Sequence, residues 1–409
     1  MTLTNIQFCF DDAQDDIVCM VQNPVKSHLV AAGSQDNCLY IFDIQQNTTL
    51  AKITDFQDSV THIKWTSATQ FLACSLDGSL RLYQFDGEYP VPILVKQSLN
   101  QTALCFFKIY KNFVFAQSED SQFYIVDFAP VEPQMITCVY VESLVSFEIF
   151  KSFILLVGKQ IIQYNFKTNE QKQILMQFSS INESLPTCSY LDKETESILI
   201  GFADGVTEVY QIHPGRFVKL EALISLTIAG VNCINQHVIN QNVYFYIGTN
   251  DALYVYEKNF VLRNCFKLVN QGVSCFKIKQ GAIENKMVVS KGKETTAISQ
   301  EGQFIQVIQN EHQQQFSNVQ LICGLTDGEI AVFDALSIEK ICTFDGLHPE
   351  GDDDKPVLSL LDTEFGLLVT GDRYLYCYAN NFEEMGLAQK KMENEESLQE
   401  DVDQQAEVE

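Results

Sequence analysis

Carboxylates are the side chains of this chain whose grouping could do chemistry. Asp11, Asp12, Asp15 and Asp16 form one group, Asp55 and Asp58 a second, and Asp352, Asp353 and Asp354 a third. Grouped carboxylates can ligate a hard cation, or attract ammonium and guanidinium groups of a basic partner. The triple aspartate lacks the alternating ligands and central glycine of an EF-hand loop, so no metal site is expected. The 13 cysteines contain no C-x-x-C pair and offer no zinc or disulfide framework. No P-loop, dinucleotide fingerprint, nucleophile elbow or H-E-x-x-H motif occurs. The six histidines, at 28, 62, 213, 237, 312 and 348, share no common position. The chain therefore reads as non-catalytic and cofactor-free, with the three acidic groups as its candidate protein-binding residues.

The elements that must carry these acids are written as a repeat. LVAAGSQDNCLYIFD at Leu29–Asp43 returns as FLACSLDGSLRLY (Phe71–Tyr83), FVFAQSEDSQFYIVD (Phe113–Asp127), ILIGFADGVTEVY (Ile198–Tyr210), VYFYIGTNDALYVY (Val243–Tyr256) and VQLICGLTDGEIAVFD (Val319–Asp334). Each copy is two apolar, β-branched or aromatic runs around a turn aspartate, which is strand–turn–strand chemistry. Weaker copies lie at Phe153–Phe166, Lys286–Ser299 and Gly366–Tyr378. A first strand precedes each hairpin, with Cys19, Thr61, Cys105, Phe147, Cys188, Cys233 and Cys275 read as one ladder. A fourth follows, as at Leu50–Ile53, Met135–Val141, Gln173–Gln177, Phe304–Ile308 and Lys340–Phe344.

A four-stranded unit repeating every 40–45 residues or so is a β-propeller blade. One blade cannot bury both faces of its sheet, so blades stack around an axis and the ring must close. The orphan N-terminal run Ile6–Phe10 is expected to supply the missing fourth strand of the last blade. The hairpins number nine, but the corners at Ser290 and Gly324 are too close for two full blades. We expect an all-β single propeller of eight blades over residues 1–380, with seven and nine as the other counts the spacing admits. Loops joining one blade's fourth strand to the next blade's first share one rim. The three acidic groups fall in successive loops of that kind, which predicts one contiguous acidic wedge.

The repeat resembles the WD40 repeat over roughly residues 5–380. The terminal Trp-Asp of that family is here Phe42-Asp43, Val126-Asp127 or Phe333-Asp334, and its Gly-His pair is missing. The turn aspartates are therefore expected to cap their own turns rather than join a histidine network. The opening FCFDDAQDDIVCMVQNPVKSHLVAAGSQDNCLYIFD, the DSV at Asp58–Val60 and the run Gly324–Phe344 are similar to the angio-associated migratory cell protein family. That resemblance implies an acidic propeller that chaperones a basic ribosomal protein of the large subunit by holding its N-terminal segment on a negative face.

Composition limits the partners. The net charge is −26, which repels nucleic acid and anionic lipid and favours a basic protein. Residues 381–409 are rich in glutamate and aspartate and poor in apolar side chains, the signature of a disordered acidic tail. No apolar run is long enough to span a bilayer, and the N-terminus lacks a signal-peptide pattern. Five cysteines at one repeat position read as small core hydrophobes in a reducing compartment, cytoplasmic or also nuclear, where the sequons at Asn47, Asn100 and Asn182 stay unused. Trp65, on a first strand, reads as core. Two functions fit: a chaperone or assembly factor for a basic client such as a ribosomal protein, or a general WD40 scaffold subunit. The oligomeric state is open.

Overall fold

The computed structural model describes residues 6–87, 90–96, 102–128, 134–151, 153–165, 170–172, 184–213, 216–224, 229–268, 271–280, 295–298, 304–307, 319–345, 347 and 355–379. Among the described residues there is no helix, and eight antiparallel four-stranded sheets form the blades of a propeller. Blade 1 comprises Ile17–Gln22, Leu29–Ser34, Leu39–Asp43 and Thr48–Ile53; blade 2, Val60–Trp65, Gln70–Ser75, Leu80–Gln84 and Val91–Lys96. Blade 3 comprises Leu104–Tyr110, Phe113–Ser118, Gln122–Asp127 and Gln134–Tyr140; blade 4, Ser146–Phe150, Phe153–Val157, Ile161–Asn165 and Glu170–Lys172. Blade 5 comprises Pro186–Asp192, Ser197–Phe202, Val206–His213 and Arg216–Ile224; blade 6, Val231–Ile239, Asn242–Thr249, Ala252–Glu257 and Leu262–Lys267. Blade 7 comprises Val273–Gln280, Val319–Leu325, Glu329–Asp334 and Lys340–Asp345. Blade 8 comprises Ser359–Thr363, Gly366–Thr370 and Leu375–Tyr378, and Ile6–Phe10 completes it antiparallel to Leu375–Tyr378. The N-terminal strand thus closes the ring, as expected from its lack of a blade of its own.

Of the weak hairpin copy read at Lys286–Ser299, residues 286–294 and 299 lie outside the described residues, and Thr295–Ile298 pairs elsewhere than in a blade. Thr295–Ile298 and Phe304–Val307 form a two-stranded sheet inserted between the first and second strands of blade 7, whose first strand pairs directly with Val319–Leu325. The strand expected at Phe304–Ile308 is therefore half of an insertion rather than the edge of a blade. A short apolar run matches the edge strand of a blade, so local chemistry could not separate the two. In blade 4 the fourth strand is Glu170–Lys172, and the expected Gln173–Gln177 lies outside the described residues.

First strands of neighbouring blades touch around the ring, so they line the axis and the fourth strands form the outer wall. One apolar cluster fills each of the eight junctions between blades, including the closing one, where Phe10 and Leu375 meet Val30 and Phe42. Trp65 is buried in the cluster between blades 1 and 2, edge-on to Phe71, and donates its indole N–H to the Val21 carbonyl at 3.3 Å. The only tryptophan is thus a core residue.

Each junction is also stitched by a polar contact near the axis. In blades 1, 2, 3, 5, 6 and 7 the first strand carries a one-residue bulge, which aims a side chain out of the pleat. The bulged Thr61, Asn232 and Ser274 donate to the carbonyls of Leu104, Val273 and Val357 on the next blade at 2.6, 2.9 and 2.6 Å, and Thr187 does the same to Val231. Cys19 Sγ serves for blade 1, Gln117 Nε2 for blade 3 and the Ser146–Ser189 hydroxyl pair for blade 4, while Thr370 closes the circle on the Ile17 carbonyl. Carbonyls left over by the bulges are in this way satisfied where water is scarce.

The bulges also correct the ladder. Cys19, Cys188, Cys233 and Cys275 share a register position opposite Gly33, Gly201, Gly248 and Gly324, but Cys105 is the bulged residue and Phe106 takes the ladder position. His62 and Ser146, rather than Thr61 and Phe147, stand there in blades 2 and 4. The glycines are needed for close approach. A Cβ at Gly201 would lie 2.5 Å from Val231 Cγ1 and 2.9 Å from Cys188 Sγ. Burial pushes the Cys19 and Cys188 thiols up to about 12 and Cys275 to about 11, so these are packing groups rather than nucleophiles.

Candidate functional site: the acidic upper rim

Turns between second and third strands gather on the same rim as the loops between blades, here called the upper rim. The Gln14 amide donates to Asp36 at 2.9 Å, and the Gln57 amide to Asp77 at 3.0 Å. Each pair ties a turn aspartate to the loop leading into its own blade. The turn aspartates also cap their turns: Asp36 accepts from the Cys38 amide, Asp77 from Ser79, Asp204 from Val206, Asp327 from Glu329 and Asp372 from Tyr374, at 2.8–3.2 Å. In place of a loop histidine, side chains of the third strand reach the same carboxylates. Tyr40 donates to Asp36 at 2.5 Å, Tyr376 to Asp372 at 2.8 Å, and Arg81 to Asp77 at 3.0 Å.

These bonds set the charge of the rim. Burial opposes the charge of Asp36, but hydrogen bonds from Gln14, Tyr40, Ser34 and Cys38 outweigh it and hold the carboxyl below its ordinary range. Asp77 is held down against burial in the same way by Gln57, Ser79 and Arg81. Both are carboxylates at neutral pH and belong to the rim, though the sequence reading gave them only a turn-capping role.

The exposed acids sit around them. Asp11, Asp12, Asp15, Asp55 and Asp58 are exposed and Asp16 is half-buried. The loop at residues 11–16 bonds to the Asp36–Asn37 turn through Gln14, and the loop at 54–59 bonds to it through Asn37, which donates to the Gln57 carbonyl. Two of the three predicted acidic groups therefore flank one turn. Asp352, Asp353 and Asp354 lie outside the described residues; the neighbouring Lys355 forms an ion pair with Asp16 at 2.7 Å.

Cations on this sector were missed by the sequence reading, because nothing in their local sequence marks them. Arg81 is buried, donates to Asp77 and the Asp55 carbonyl, and lies over the Phe56 ring at 4.5 Å. It stiffens the 54–59 loop from below, while Asp55, which accepts from the Tyr83 hydroxyl at 3.5 Å, and Asp58 remain exposed. Acidic turns continue around the rim at Asp120, Asp204, Asp251, Asp327 and Asp372; blade 4 breaks the series with Lys159, which pairs with Glu142 at 2.7 Å.

Chemically, such a rim can hold ammonium and guanidinium groups. Each exposed pair contributes only about 0.2–1 kcal/mol, so affinity must come from several contacts at once and fall as salt screens them. Among the described residues no group of three or more His, Cys, Asp or Glu side chains could hold a metal ion, and no helix is long and apolar enough to cross a membrane. At the axis His62 packs against Phe106 and Phe107, and burial, with Lys64 and Lys108 nearby, lowers its pKa to about 4.

Fold and repeat together define an eight-bladed β-propeller of WD40-like blades. Residues 47–84 match the WD40 family, described as WD domain, G-beta repeat. No curated protein matches the chain. Among solved structures, Saccharomyces cerevisiae Sqt1 is similar at a TM-score of 0.68 and 13% identity, covering 93% of this chain and 100% of its own. Chaetomium thermophilum Sqt1 bound to the N-terminus of the ribosomal protein L10 gives 0.69 and 12%, covering 92% and 100%. The computationally designed Ika8 protein gives 0.62 and 14%, covering 90% and 98%. At these identities the likeness is one of fold.

Proposed function

We propose that this propeller is a non-catalytic protein-binding module whose acidic upper rim holds a basic segment of a client, as a chaperone or assembly factor for a protein of ribosomal type. The observation that carries this reading is the rim itself, where two acidic loops flank the Asp36–Asn37 turn in a chain of net charge −26. Its fold neighbour Sqt1 has been captured with the N-terminus of the ribosomal protein L10, which supports a terminal peptide segment as the occupant, and the acidity of the rim supports a basic one. Asp11, Asp12, Asp15, Asp16, Asp55 and Asp58, with Asp352, Asp353 and Asp354, are assigned to client binding. The packing of the cysteines as small apolar groups supports a reducing compartment, cytoplasmic or nuclear.

The second reading, a general scaffold subunit, is favoured by exposed apolar side chains away from the acidic rim, such as Val25, Val238 and Val261. Affinity purification from source cells at low and high salt separates the two. A chaperone recovers one small basic protein that is lost at high salt, and lost again when Asp11, Asp12, Asp15, Asp55 and Asp58 become asparagine. Recovery of the same large assembly at both salt levels and with the variant would leave the scaffold reading standing and end the first.

A further inference from the structure

The fourth strand of every blade presents an outward edge, and such edges are ordinarily guarded by charge or proline. Exposed Lys52, Lys219, Arg263 and Lys340 supply that guard in blades 1, 5, 6 and 7, and the fourth strands of blades 2 and 4 contain Pro92 and Lys172 in their sequence. The fourth strand of blade 3, QMITCVY at Gln134–Tyr140, has neither. Its Met135, Ile136 and Tyr140 are 41%, 42% and 66% exposed. The N-terminal strand of blade 8 is uncharged as well, but none of its large apolar side chains is exposed. Among the described residues nothing pairs with the outer edge of Gln134–Tyr140. A bulge at Ile136 interrupts its inner pairing, leaving Thr137–Tyr140 as the straight stretch.

We propose that this edge pairs antiparallel with the same edge of a second copy, joining two blade sheets across a twofold axis. Antiparallel pairing about a twofold makes a strand its own complement. Here it sets Thr137 against Tyr140 and Cys138 against Val139, pairs that suit a sheet and carry no charge. The absence of charge on the strand itself is what suits this edge to self-pairing. Two chains of net charge −26 repel, but Glu142, two residues beyond this strand, is paired with Lys159 at 2.7 Å. Blade 4 is also the blade whose upper turn carries lysine where the others carry aspartate. One short strand pair makes a small interface and a weak, reversible dimer.

Sedimentation velocity of the full chain from about 1 to about 100 µM tests this, a range that brackets micromolar association. A reversible monomer–dimer shift is expected, strengthened by salt because screening removes the residual repulsion. That sign is opposite to the one expected for a basic client on the acidic rim, so the two readings fail separately. Tyr140→Lys places the missing guard on an exposed side chain and should abolish the dimer while leaving the circular dichroism and melting curve unchanged. A chain that stays monomeric throughout, a dimer indifferent to Tyr140→Lys, or a dimer that salt dissolves would overturn the proposal. A monomer whose 134–140 amides gain hydrogen-exchange protection only with a different protein present would also overturn it, assigning the edge to that protein.

Discussion

Gly201→Ala tests the close approach of blades 5 and 6. The added Cβ would meet Val231 Cγ1 at 2.5 Å, Val231 Cβ at 2.8 Å and Cys188 Sγ at 2.9 Å. Unstrained carbon contacts lie near 3.5–4.0 Å or so, so the two blades must part by roughly 1 Å at this point. Overpacking of this kind costs about 1–3 kcal/mol. Alanine offsets about 0.5–1 kcal/mol by losing less backbone entropy than glycine, which leaves a net loss of about 1–2 kcal/mol. Val231→Ala alone costs about 2 kcal/mol through lost burial and the cavity it leaves. In the double variant the shortened Val231 vacates the space that the new Cβ needs. The double should therefore be more stable than the sum of the singles by about 1 kcal/mol or more. Urea unfolding, compared at constant m, measures all three. Additive effects, or a Gly201→Ala midpoint equal to the parent's, would refute the idea that glycine is there for blade contact.

Three further outcomes follow from the same geometry. Asp36 and Asp77 have folded-state pKa values below that of an unfolded aspartate, near 3.9. Their stabilisation is therefore complete above that value and lost as pH falls through the folded values; the acid drop in urea midpoint should be smaller in the Asp36→Asn, Asp77→Asn variant. Deleting residues 1–10 strips Leu375–Tyr378 of its partner, and the ring should unfold at lower urea and aggregate through the bared edge; an unchanged midpoint would show that closure lies elsewhere. Cys19 and Cys188, with thiols near 12, should resist a thiol reagent at pH 8 until urea unfolds the chain, and rapid labelling in the native state would contradict their place in the blade contacts.

The recurring hairpin and its turn aspartate were readable from residue types, because strand alternation and turn capping are local. Closure by Ile6–Phe10 followed from counting, since a fourth strand was missing at one end and spare at the other. The strand at Phe304–Val307 was not separable from a blade's fourth strand, because a short apolar run looks the same whichever sheet it joins. The stitches between blades were hidden for another reason. Threonine, asparagine, serine, cysteine and glutamine all perform the same task, and the acceptor belongs to the next blade.

For the rim, sequence alone determined which loops carry the acids and that they follow one another around the ring, because blade order is chain order. Only tertiary structure decided that Gln14 and Asn37 draw the loops at 11–16 and 54–59 onto one turn. It also decided that Arg81 and Lys355 counter part of the charge, and that Asp36 and Asp77 add to it. Backbone amides 22 and 20 residues back in the chain, in the loop that enters the same blade, help to hold those two carboxylates charged, and no local pattern records a bond made over that separation.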